Sequence, residues 1–81
     1  MTRVLLFGRL ADAAGWRERV FDPTPERLSS LRSLVGGESA ELAAALVGPG
    51  VQAAVDQALV RGDPLLAGVA EVAFLPPMSG G

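Results

Sequence analysis

One stretch of the chain carries sustained helical periodicity, and that single stripe constrains the architecture more than any other feature. Leu28, Leu31, Leu34 and Val35 recur at the spacing of one apolar helix face. Just before them, Thr24-Pro25-Glu26 combines a capping hydroxyl, a proline suited to the first helical position and a carboxylate at the positive end of the helix dipole. Gly36-Gly37 breaks the pattern. Glu38 to Val47 resumes it through Leu42, Ala45 and Leu46 until Gly48-Pro49-Gly50 stops it. A helix with one apolar stripe must lay it on another layer, and the remaining apolar runs read mostly as strands.

Residues 2 to 8 are an apolar and branched run ended by Gly8, a buried strand in this reading. Arg9 to Ala14, with Gly15 as the residue after it, reads as a helical turn. Trp16 to Asp22 reads as a second strand pairing with the first, with Trp16 as a core or hairpin residue. Val51 to Val55 and Ala58 to Val60 are two short strands, and Glu71 to Leu75 is the last, with Val72 and Phe74 on one face and Ala73 and Leu75 on the other. Arg61-Gly62-Asp63-Pro64 is turn chemistry rather than an adhesion motif, and Leu65-Leu66 plugs the core. The expected fold is α+β, one mixed sheet packed on one principal helix, which buries Leu28, Leu31 and Leu34 and leaves the other sheet face partly open to a partner.

With 81 residues there is one small domain, which buries roughly two-thirds of the surface of its unfolded chain and has little room for a large cleft. The sequence has no cysteine and no histidine, which removes disulfides, thiolate metal sites and the commonest general base. Nothing in the spacing of the remaining Asp, Glu, Arg, Ser and Thr suggests a triad or a carboxylate pair, so neither a metal nor a bound cofactor is expected. The net charge of -2 comes from nine acids and seven bases scattered along the chain, without the basic stripe that nucleic acid requires. Val4-Leu5-Leu6-Phe7 is too short an apolar run for a signal segment or membrane span, and a cytoplasmic location is expected. All seven bases are arginines, so no internal lysine can capture an activated acyl group.

The chemistry is expected at the far end. Phe74-Leu75 runs into Pro76-Pro77-Met78-Ser79-Gly80-Gly81. The prolines lack N–H donors, end the strand and project the last four residues away from the sheet. Gly80 and Gly81 have no Cβ, so a narrow channel in a partner can close around bare backbone. Residues 76 to 81 span roughly 20 Å when extended, enough to reach a buried active site on another protein. Residues 1 to 75 are read as the domain and 76 to 81 as a flexible tail.

Three segments together, Ala53-Ala54-Val55-Asp56-Gln57-Ala58-Leu59-Val60, then Asp63-Pro64-Leu65, then Glu71 through Gly81, resemble the small subunits of molybdopterin synthase. Asp56 stands where that family commonly has asparagine, Leu75 where a second aromatic is common, and Val69-Ala70 where a Gly-Asp turn is usual. The resemblance implies a ubiquitin-like β-grasp fold and a non-catalytic, sulfur-carrying role. An E1-like adenylating enzyme, using its own ATP and magnesium, would activate the Gly81 carboxylate, with Gly80 beside it. A sulfur donor protein would then convert it to a thiocarboxylate. The large subunit of the synthase would use that sulfur to build the dithiolene of molybdopterin, in an assembly of two small subunits flanking a large-subunit dimer.

Pro76, Pro77, Met78 and Ser79 would line the way into the partner. Phe7 and Leu59 belong either to the core or to an apolar docking face, while Leu75, beside the prolines, is assigned to that face. Three other functions share these features: a sulfur carrier for thiamin or another thiolation pathway, a ubiquitin-like modifier ending on target lysines, and a binding module indifferent to Gly81.

Overall fold

The computed structural model describes residues 1–77. Its elements run β1 (Thr2–Leu6), α1 (Arg9–Ala14), β2 (Glu18–Phe21), α2 (Leu28–Gly36), α3 (Ala40–Leu46), β3 (Gln52–Val55), β4 (Ala58–Val60) and β5 (Glu71–Leu75). The five strands form one sheet in the order β2-β1-β5-β3-β4. β1 and β5 are parallel neighbours, with Val4 opposite Val72 and Leu6 opposite Phe74; every other pairing is antiparallel. The last strand of the sequence is therefore the middle strand of the sheet. Two long-range neighbours satisfy its backbone, and Val72 and Phe74 are fully buried.

All three helices contribute to the core against one sheet face: Leu10 from α1, Leu28, Leu31 and Val35 from α2, and Leu42 and Leu46 from α3 meet Val4, Leu6, Ala53, Val72 and Phe74. This is the mixed-sheet β-grasp layout expected from the sequence. Leu34 departs from that expectation, being 47% exposed. Residues 28, 31 and 35 fall within a narrow arc of the helix, and a residue at 34 lies about 60° outside it, turned toward water. Leu66 plugs the core as expected, whereas Leu65 is exposed.

The start of α2 also differs. Thr24, Pro25 and Glu26 precede the helix, and the residue at its N-cap is Arg27, whose side chain makes no capping bond. The Thr24 hydroxyl is instead 2.6 Å from that of buried Thr2, which in turn donates to the Val69 carbonyl at 3.0 Å. Residues 26 to 28 pair with 64 to 66: Leu66 N–H donates to Glu26 O and Leu28 N–H to Pro64 O. The cap comes from a distant loop. Asp63 accepts from Ser29 N–H at 2.7 Å and from the Ser29 hydroxyl at 2.8 Å, giving the first turn the acceptor that its own sequence lacks.

Helix α3 carries an ordinary local cap, Ser39 accepting from Leu42 N–H at 3.2 Å. The expected break at Gly36-Gly37 falls one residue later, since Gly36 is the last residue of α2. A Cβ at Gly36 would lie 3.0 Å from Ala43 Cα, so the glycine permits the close approach of α2 and α3. Among the described residues no helix is long and apolar enough to cross a membrane.

Candidate functional site

Strand β5 ends at Leu75, and Pro76 and Pro77 follow it out of the sheet. Pro76 is half-buried and Pro77 exposed. The exit lies between the C-terminal end of β1, which runs parallel to β5, and the N-terminal end of β3, which runs antiparallel to it. Met78, Ser79, Gly80 and Gly81, assigned from the sequence to partner entry and to the reacting terminus, lie outside the described residues.

The sheet face opposite the helices is the second component. Strand alternation puts Val4, Leu6, Val72 and Phe74 inward, so Leu5, Ala73 and Leu75 point the other way. The register extends this face across four strands: Leu5 is opposite Ala73, Ala73 opposite Ala54, and Ala54 opposite Leu59. Phe7 and Leu59 lie on the surface, 45% and 62% exposed, and Leu5 and Leu75 are half-buried. The two alanines in the middle rise little above the backbone, so larger apolar side chains flank a shallow centre. Of these residues the sequence alone points to Phe7, Leu59 and Leu75 for docking, and it misses Leu5 and Ala54. Leu5 is deducible from alternation with buried Val4 and Leu6, but Ala54 requires the cross-strand register.

Charge borders the apolar row. Arg3, opposite Glu71 in the parallel pairing, bonds its carboxylate at 2.7 Å, and Glu18 lies opposite Leu5. The Glu71 hydrogen bond is the main cause raising the Arg3 pKa, with the charges of Glu18 and Glu71 adding to it. At the edge beyond, Trp16 packs on Phe21 with ring centroids 6.2 Å apart, and the Arg19 guanidinium lies 4.6 Å from the Trp16 centroid. Trp16 is thus a half-buried residue on the helix side of the β2 edge, part of the packing as expected. A broad apolar face beside an exit for extended chain suits protein docking and presentation of a terminus.

The closely similar folds and the family match agree with that geometry. SAMP1 from Haloferax volcanii superposes with a TM-score of 0.82 at 22% identity, covering 99% of this chain and 98% of that one. The small archaeal modifier protein 1 from Methanosarcina acetivorans superposes with a TM-score of 0.77 at 20% identity, covering 99% of this chain and 95% of that one. No curated protein matches the sequence significantly. The family model for ThiS matches residues 4–81, nearly the whole sequence including the diglycine, and the chain belongs to the ThiS family of ubiquitin-like sulfur carriers.

Proposed function

We propose that this chain carries sulfur on its C-terminal carboxylate and serves as the small subunit of a molybdopterin synthase. The observation that carries the reading is the continuity of the central strand β5 with Pro76 through Gly81, at the border of an apolar sheet face, within a family match that extends to Gly81. A carboxylate is a poor acyl donor because oxide would have to leave. An E1-like partner solves this when a Gly81 oxygen attacks the α-phosphorus of ATP and pyrophosphate departs. The resulting acyl adenylate loses AMP when the terminal sulfur of a donor protein's persulfide attacks the carbonyl carbon. A partner thiol then cleaves the S–S bond of the acyl disulfide, which releases the Gly81 thiocarboxylate and leaves a disulfide on the partner. The large subunit then takes that sulfur for dithiolene formation. ATP, magnesium and the catalytic side chains belong to the partners, while this chain contributes the docking face and the aim of its terminus.

The intact mass of the protein from its native host tests the reading, the expected result being replacement of one oxygen by sulfur at Gly81. A second reading draws support from the fold shared with a protein named as a modifier: Gly81 ends on lysines of other proteins. Isopeptide adducts on many proteins with no thiocarboxylate would favour it. Because the sequence contains no lysine, no chain of such adducts would be built through a lysine of this protein.

A further inference from the structure

We propose that Gly8 and Gly50 form a seat for Pro76 and Pro77 that sets the direction in which the C-terminal residues leave the domain. Among the described residues five glycines have positive φ, namely Gly8, Gly15, Gly50, Gly62 and Gly68, so each holds a conformation that side chains disfavour. Two of the five also lie against the tail. A Cβ on Gly8 would be 3.0 Å from Pro76 Cγ, and one on Gly50 would be 2.7 Å from Pro77 Cβ, whereas Gly15, Gly62 and Gly68 have nothing within 4 Å. Both seats lie where the topology brings the flanking strands together. Gly8 follows β1 and Gly50 precedes β3, the two strands that border β5 at its exit.

The prolines suit such a seat. Each has a fixed φ and no N–H to satisfy, and two in succession give a stiff lead of roughly 6 Å. Pro77 also borders a cleft of about 250 Å³ together with Leu10, Pro49 and Val51. A lead held at its root leaves the terminus fewer directions to search before entering a partner's active site, so less ordering remains at the moment of reaction. The glycines act as positioning residues through the prolines. Their effect on transfer rests on the carrier reading above; their effect on the geometry of the exit does not.

The test separates these two levels. The chain has no cysteine, so Ser79→Cys accepts a single nitroxide, whose paramagnetic broadening of backbone amides reports where the tail points. Gly50→Ala and Gly8→Ala should change the broadening in the loops after β1 and before β3. Gly62→Ala and Gly68→Ala, with the same backbone strain and no neighbour to strike, should keep the wild-type pattern. Pro77→Gly adds no side chain, preserves folding even where Gly50→Ala does not, and should spread the broadening by emptying the seat. Combined with Gly50→Ala it removes the clash and leaves only the backbone strain that Gly62→Ala also carries, so the shift changes in the loop before β3 should shrink to the size seen around position 62 in Gly62→Ala.

ATP–pyrophosphate exchange with the E1-like enzyme, measured on the unlabelled proteins, supplies the rate. For Gly50→Ala, kcat should fall about tenfold or more, while the Kd for the same enzyme without ATP stays unchanged. Equal broadening in Gly50→Ala, Gly62→Ala and wild type, or no change in Pro77→Gly, overturns the seat. Absence of exchange with the wild-type protein refutes the carrier reading, and the broadening still decides the seat.

Discussion

At the scale of single residues, the hairpin between β3 and β4 shows how an unfavourable turn is held. Its two connecting residues, Asp56 and Gln57, both have positive φ, 48° and 71°. A two-residue hairpin favours that geometry, but glycine and asparagine are its preferred occupants. Each non-glycine residue there costs about 1–2 kcal/mol. The Asp56 carboxylate offsets the cost by accepting from both Ala70 N–H and Glu71 N–H at 3.0 Å, while its own N–H donates to Glu71 O at 2.8 Å. The turn is thereby fastened to the start of β5. Asp56→Asn keeps an oxygen at the acceptor position and should be well tolerated, whereas Asp56→Ala should lose roughly 1–3 kcal/mol. Gln57→Gly should gain up to about 1 kcal/mol, because relief of the left-handed strain exceeds the entropy that glycine adds to the unfolded chain. Urea unfolding of the three variants checks both signs. The hairpin's strands were legible in the runs Val51 to Val55 and Ala58 to Val60, but the fastening was not, because its donors lie at the start of another strand.

At the scale of elements, the same division recurs in α2. The apolar stripe identified the helix correctly, and the capping signal misplaced its start because Thr24 bonds to Thr2 while residues 26 to 28 pair with the loop before β5. Local signals compete with long-range partners, which sequence spacing does not display. Asp63, in sequence a turn residue only, supplies the cap and has a testable signature. Hydrogen bonds from the Ser29 backbone and then the Ser29 hydroxyl, aided by Arg27 and Arg32, hold its pKa below the ordinary carboxylate value. Folding therefore favours the ionised form. The contribution is complete above the unfolded pKa of about 3.9 and is lost as pH falls through the lower folded value. Asp63→Asn should be less stable than wild type at neutral pH, and the difference should shrink below about pH 4. Thermal unfolding between pH 7 and 2.5 measures it; a constant difference throughout would mean that the carboxylate's charge contributes nothing to the cap.

At the scale of the whole molecule, the two faces of the sheet differ, one packed in the core and the other open. Phe74 and Val72 hold β5 in the core, while Ala73, on the opposite face, joins Leu5, Ala54 and Leu59 in one cross-strand row. Stability and docking should therefore respond to different substitutions. Leu59→Glu places a carboxylate on a side chain that is 62% exposed, so the isolated domain should change by no more than about 0.5 kcal/mol. Under the carrier reading, the same carboxylate would be buried without a partner on docking, and affinity for the E1-like enzyme should fall about 30-fold or more. Phe74→Ala should show the reverse dependence. Its fully buried ring leaves a cavity worth about 3–5 kcal/mol, and binding should weaken only as far as the folded fraction falls. Unfolding free energies and calorimetric titrations of both variants separate the faces. Loss of stability in Leu59→Glu with unchanged affinity would assign that side chain to the fold and remove the open face from the docking surface.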